Sequence, residues 1–169
     1  MSDWNKYVRK QYTDLQIGYI AGIMDSDGCF FIGNFSRSKT TDNKFYQTVL
    51  TVANTEESMI DRLVKDYGGL KGKYTPKQTP KNSRRPVYKW TATGKRLEHL
   101  CEIMLNNLSA KKNQCEIMIK MRETYKRRSF EKGHQGAMVL DKETMDVRKK
   151  CFDELRALHC RNYLNNKST

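Results

Sequence analysis

The sequence has no apolar run long enough to cross a bilayer, no Cys-x-x-Cys pair, no grouped histidines and no excess of acid. Each absence removes a class of function. Without a long hydrophobic stretch, the apolar segments read as ordinary amphipathic elements, and no membrane partner is expected. Residues Met1 to Tyr12 carry charges throughout and lack an apolar centre, so no secretory signal is expected there. The five cysteines, Cys29, Cys101, Cys115, Cys151 and Cys160, are odd in number and lie mostly in apolar patterns, which points to core thiols in a reducing compartment. His99, His134 and His159 are scattered and have no Cys or His partner at ligand spacing, so a zinc site is not expected.

What the chain has in abundance is positive charge. Lys and Arg number 32 against 19 Asp and Glu, a net +13 over 169 residues. That balance favours a polyanionic partner, and nucleic acid is the leading candidate. The length allows one domain with a real core, here 1–169 with a core over about 13–122 and a helical extension over about 123–169.

The most informative stretch is Ile20-Ala21-Gly22-Ile23-Met24-Asp25-Ser26-Asp27-Gly28. Thr13 with Gln16 three residues on is a capping-box start, Leu15, Tyr19 and Ile23 recur at helical spacing, and Gly28 is a stop. Gly18, Gly22 and Asp25 fall at i, i+4 and i+7, a stripe with almost no side-chain bulk that a second backbone could approach closely. Two such helices packed stripe to stripe would set two Asp27 carboxylates side by side, a pair suited to Mg²⁺ and to phosphoryl chemistry. The other reading is a buried helix ending in an ordinary Asp-Ser-Asp-Gly turn. An EF-hand is excluded, because no glutamate follows six residues after Gly28, where Asn34 stands.

Downstream, alternation marks strands over Cys29–Arg37 and Phe45–Ala53, with Ser36–Lys44 as a polar hairpin loop. Asn54 with Glu57 reads as the cap of an amphipathic helix that Gly68 and Gly69 end. A second strand pair is expected over Leu70–Tyr74 and Pro86–Thr93, with Lys71, Lys73, Arg85, Val87 and Lys89 on one face and Tyr88 and Trp90 on the core face. A helix from Thr93, a break near Leu108, a helix from about Ala110, a basic loop over Thr124–Val139 and a last helix over about Asp141–His159 complete the chain. Lys111 and Lys112 would then lie in a first helical turn, where cations oppose the helix dipole.

The stretch from Ile20 to Gly28 resembles the signature of the LAGLIDADG homing endonucleases, with conservative changes, and it occurs once. The element order fits the αββαββα core of that family over roughly Leu15 to Arg122, so the resemblance implies an α+β fold. In it a curved antiparallel sheet forms half of a DNA-binding saddle, with additional C-terminal helices. A single motif implies a homodimer, with Gly18, Ala21, Gly22 and Asp25 at the dimer interface. It also implies double-stranded DNA as partner and Mg²⁺ as cofactor, with Mn²⁺ able to substitute and Ca²⁺ supporting binding without cleavage. The host compartment would be an organelle, chloroplast or mitochondrion, or a prokaryotic or phage cytoplasm.

By the same resemblance Asp27 is the metal-coordinating catalytic residue, Asn54 a water-ordering one and Lys111 the lysine beside the scissile phosphate, with Lys112 as its alternative. The products would be short 3′ overhangs from a pseudo-palindromic target. Strands in the major groove read bases best with Arg or Lys toward guanine, Gln or Asn toward adenine, and apolar groups toward thymine methyls. The expected DNA-binding residues are therefore Phe31, Arg37, Lys39, Gln47, Thr51, Lys71, Lys73, Arg85 and Lys89. Two other functions fit the same features: an intron RNA maturase, and a DNA-binding regulator that does not cut.

Overall fold

A computed structural model describes residues 10–38, 41–75, 85–126, 130–132 and 138–165. In chain order these form α1 (Asp14–Ser26), β1 (Gly28–Ser38), β2 (Thr41–Asn54), α2 (Glu57–Tyr67), β3 (Leu70–Tyr74), β4 (Val87–Thr93), α3 (Gly94–Met104), α4 (Lys112–Lys126), β5 (Phe130–Lys132), β6 (Met138–Leu140) and α5 (Lys142–Asn165). The α+β order is the expected one, with a sheet in the strand order β1-β2-β4-β3. No described helix is long and apolar enough to cross a membrane.

The chain divides into two compact units, residues up to Phe31 with Val49–Lys112, and Ile32–Thr48 with Asn113 onward. In the first, Thr13 and Gln16 close the capping box: Gln16 N–H donates to Thr13 Oγ1 at 3.3 Å and Thr13 N–H to Gln16 Oε1 at 3.0 Å. The apolar side of α1 buries Ile20, Ala21, Ile23 and Met24. Ile60, Leu63 and Tyr67 of α2 are buried, as are Tyr88, Trp90 and Ala92 of β4 and Leu97, Leu100, Cys101 and Met104 of α3. The Tyr67 hydroxyl donates to the Gln16 carbonyl at 2.7 Å, and Trp90 Nε1 donates to the Gly68 carbonyl at 2.6 Å.

Two glycines are required by space. A Cβ on Gly28 would stand 2.5 Å from Met24 Cα and 2.6 Å from its sulfur, so the chain can turn from α1 into β1 only without a side chain there. Gly69, at φ +106°, would put a Cβ 2.6 Å from the Thr91 carbonyl oxygen.

The pairing of β4 fixes which side chains share a face. Leu50, Val52 and Asn54 of β2 stand opposite Ala92, Trp90 and Tyr88, while Val49, Thr51 and Ala53 stand opposite Thr93, Thr91 and Lys89. On the other side Lys71 pairs with Trp90 and Lys73 with Tyr88, whereas Leu70, Gly72 and Tyr74 pair with Thr91, Lys89 and Val87. Directly opposed residues point to one face. Lys71 and Lys73 therefore belong to the helix-covered face, and the expected common face for Lys71, Lys73 and Lys89 is overturned. Lys71 is neutralised there by Glu57 and Asp61 of α2, at 2.6 and 2.5 Å.

Three other expectations change. Asn54 is not the helix cap, because α2 begins at Glu57 with Glu56 before it, and Asn54 Oδ1 accepts from Glu56 N–H at 2.9 Å. The hairpin loop is shorter than Ser36–Lys44, since β1 runs to Ser38 and β2 starts at Thr41. Polar strand residues beyond a core leave no apolar alternation to read. The basic segment after Thr124 contains the paired short strands β5 and β6.

In the second unit, Tyr46 and Thr48 are buried while Phe45 and Gln47 are exposed. The Tyr46 carbonyl accepts from the Tyr125 hydroxyl, and its ring lies 5.8 Å from Phe152. Buried Arg148 donates from Nε to Thr124 Oγ1 at 2.9 Å and stacks its guanidinium 4.0 Å from the Tyr125 ring. Cys101, Cys115 and Cys151 are buried as expected, but Cys29 is exposed, and the side chain of Cys160 lies outside the described residues. Replacing Gly28 by Ala should lower unfolding stability by about 2 kcal/mol through overpacking against Met24, measurable by urea denaturation. Gly72→Ala, where an added Cβ meets nothing within 4 Å, is the matched control and should stay near wild type.

Candidate active site

The site lies where α1 ends, entirely within the first unit. Asp25 and Asp27 are two residues apart at the helix terminus and have different environments. Asp25 accepts from Ser109 N–H at 2.7 Å and from Lys111 N–H at 2.9 Å, so both its oxygens are engaged by the backbone just before α4. Asp27 is the C-cap residue, and its exposed carboxylate meets one described side chain: Asn54 Nδ2 donates to Asp27 Oδ2 at 3.3 Å. Asn54, tied at its other end to Glu56 N–H, is held as a fixed donor beside Asp27.

Lys111 takes a position that helical periodicity could not disclose. It precedes α4 rather than sitting in its first turn, and its Nζ donates to the carbonyls of Met24, Ser26 and Gly28 at 2.9, 3.0 and 2.7 Å. Two of the ammonium N–H groups are thus used on carbonyls at the end of α1 and the third on the Gly28 carbonyl where β1 begins. A cation at a helix C-terminus is favourable, so the expected conflict with the dipole of the following helix does not arise. Burial pushes the Lys111 ammonium below the usual lysine value, and nearby Cys29, Asp25 and Asp27 pull it back up. Lys112 is exposed.

On the sheet, Phe31 is 46% exposed, Leu70 72% and Tyr74 64%. Gln47, Arg85 and Lys89 are exposed and Thr51 partly so. The side chain of Arg37 and the whole of Lys39 lie outside the described residues. Leu70 and Tyr74 were not among the expected interface residues. The available signal was strand parity: alternation from Leu70 places them with Gly72, opposite in sense to Lys71 and Lys73.

The helix face carrying Gly18 and Gly22 is open. A Cβ at either position would meet nothing within 4 Å, and Leu15 beside them is 78% exposed. Ala21 does not share that face, being 1% exposed in the chain's own core, and Asp25 is spent on the 109–111 backbone. Of the four residues expected at a dimer interface, Gly18 and Gly22 are exposed, Asp25 is half-buried and Ala21 is buried.

Removing the Lys111 ammonium by Lys111→Met should leave three carbonyls without their donor and lower stability by roughly 1 to 3 kcal/mol. Asp25→Asn should lower it by a similar amount, and the double variant by less than the sum, because both act on one junction. Denaturation midpoints of the four proteins test this coupling.

No sequence profile of a known family matches the chain, and no characterised protein matches it in sequence. Similarity appears in three dimensions. The archaeal intron-encoded homing endonuclease I-Vdi141I, solved with DNA, superposes with a TM-score of 0.63 at 14% identity, over 86% of this chain and 84% of that one. The homing endonuclease I-TnaI gives 0.59 at 19% identity, over 87% and 95%. I-LtrWI, a LAGLIDADG homing endonuclease bound to target DNA, gives 0.59 at 16% identity over 86% of this chain but 46% of that one. The α+β element order and the four-stranded antiparallel sheet are thus a known architecture: the chain has the fold of the LAGLIDADG homing endonucleases.

Proposed function

We propose that the chain is a site-specific double-strand DNA endonuclease that works as a homodimer and hydrolyses phosphodiesters with Mg²⁺. The observation that carries this reading is the exposed Asp27 carboxylate at the end of a helix whose glycine face is open. An exposed mid-helix glycine costs about 1 kcal/mol relative to alanine, and no described atom stands within 4 Å of where a Cβ at Gly18 or Gly22 would lie, so crowding within the chain does not call for either glycine. A second copy of α1 packed against them would bring two Asp27 side chains to one axis. The chain spans nearly all of I-TnaI but under half of I-LtrWI, which is consistent with two copies standing where a longer chain supplies both halves.

The donor set fits Mg²⁺. This ion takes one or two carboxylates with phosphate oxygens and retained water, and among the described residues no three Asp, Glu, His or Cys side chains cluster into a closed cage. Asp27 from each subunit would hold it. The chemistry that such an ion supplies is activation of water and stabilisation of the leaving oxygen. The remaining work belongs to the chain. Asn54 fixes the rotamer of Asp27 and keeps one carboxylate oxygen oriented. Lys111 and Asp25 hold the helix end against the 109–111 backbone, so Lys111 acts through the carbonyls it caps, and exposed Lys112 is the cation free to reach a phosphate. Twice the +13 of one chain offsets the repulsion between the DNA backbone and the paired carboxylates. Two sites near one two-fold axis cut across the minor groove, giving short 3′ overhangs from a pseudo-palindromic target.

Incubation of a randomised duplex library with wild type and Asp27→Asn, each with Mg²⁺ or Ca²⁺, should give site-specific cuts with 3′ overhangs only for wild type with Mg²⁺. Selective retention without cutting would make the protein a DNA-binding regulator, and absence of both would redirect the search to intron RNA. Gly22→Ala should raise helix stability in the monomer by about 1 kcal/mol while weakening self-association. Sedimentation velocity across a concentration series checks this opposition, and an unchanged dimer constant would remove the glycine face from the interface.

A further inference from the structure

We infer that the open sheet face of the first unit reads thymine methyl groups around one guanine, with Lys89 on the guanine and Thr51, Thr91, Leu70, Val87 and Tyr74 on the methyl-bearing positions. The inference rests on the DNA-cleaving function proposed above and specifies its substrate.

The register arranges this face in rows. One row is Thr51, Thr91 and Leu70, the next Ala53, Lys89 and Gly72, and the next Val87 and Tyr74. Lys89 is thus flanked across the strands by the two smallest side chains available. A Cβ on Gly72 would meet nothing within 4 Å, and among the described residues no ion pair or hydrogen bond holds the Lys89 ammonium. Within these paired rows its neighbours are threonines, a valine, a leucine and a tyrosine ring, and exposed Arg85 lies two residues before Val87, outside the rows. Lys71 and Lys73, which would have made the face strongly basic, are on the other side.

This composition decides what can be read. Discrimination by hydrogen bonds needs donors and acceptors at each position, and along these rows the one charged donor is Lys89, matched by guanine O6 and N7. Threonine methyls and apolar side chains match the C5 methyl of thymine, which no other base carries. Successive rows are about 6.8 Å apart along a strand, two residues at about 3.4 Å each, and base pairs rise by about 3.4 Å. With the strands running along the major groove, the methyl rows fall about two base pairs to either side of the guanine.

The test is selection of a randomised duplex library on the full-length protein in Ca²⁺, followed by binding of the selected duplex with deoxyuridine replacing thymine. Expected is a fixed G·C pair in each half-site with thymines enriched about two pairs to either side. Each thymine-to-deoxyuridine change should weaken binding roughly fourfold, the worth of one buried methyl. Lys89→Ala and Lys89→Met should each lose on the order of tenfold in preference for that G·C pair and leave the flanking thymine preference intact. Half-sites rich in G·C throughout, or deoxyuridine bound as tightly as thymine, would overturn the methyl readout while leaving the nuclease standing. Failure of the wild type to retain any sequence selectively would overturn the DNA-cleaving function, and this inference with it.

Discussion

The structure depends on a reciprocal clamp between the end of α1 and the backbone at 109–111. Asp25 accepts two backbone N–H groups from that segment, and Lys111 returns three N–H donors, two to carbonyls in the last turn of the helix and one to Gly28 at the start of β1. Each half meets the polar groups that a helix terminus leaves without partners. The cation lies at the negative end of the α1 dipole, and the anion meets N–H groups just before α4. Because Gly28 allows the chain to leave the helix within one residue, the clamp and the first strand meet at one point. Asp27 is carried on that junction without being part of it, which leaves its carboxylate exposed.

Much of this was legible in the sequence. The capping box of Thr13 and Gln16, the alternation of Phe30 and Ile32 against Phe31, and the end of α2 at Gly68 all rest on spacings of a few residues, and each appears as read. The role of Lys111 was not legible, because its carbonyl partners lie 83 to 87 residues away and helical periodicity assigned it to the wrong side of a helix boundary. The cap assignment of Asn54 failed for a related reason. A short amide at a strand end can serve a turn, a cap or a distant carboxylate, and local spacing does not choose among them.

The second strand pair shows a different limit. Lys71 and Lys89 look alike in a list of basic residues, and a basic hairpin is a natural expectation for a chain of this charge. Parity carries the missing information, because one residue of shift sends every side chain to the other face. Trp90 fixes the helix-covered face, and its pairing with Lys71 settles the matter. Among the paired residues of β3 and β4, Lys89 is therefore the one lysine on the open face, while Lys71 and Lys73 lie on the other.

Asn54 is the last residue of β2, and three residues before it Thr51 faces the open side of the sheet. At one end of this short extended segment is a threonine on the open face, and at the other an amide on the Asp27 carboxylate. On the proposed function, seating on the target and aiming of the carboxylate are two readings of a single strand's position. A displacement at Thr51 too small to cost much affinity is carried along a stiff backbone to the group that must be aligned for attack. Fidelity would then be exercised twice, once when the duplex is held and again when the bond is broken.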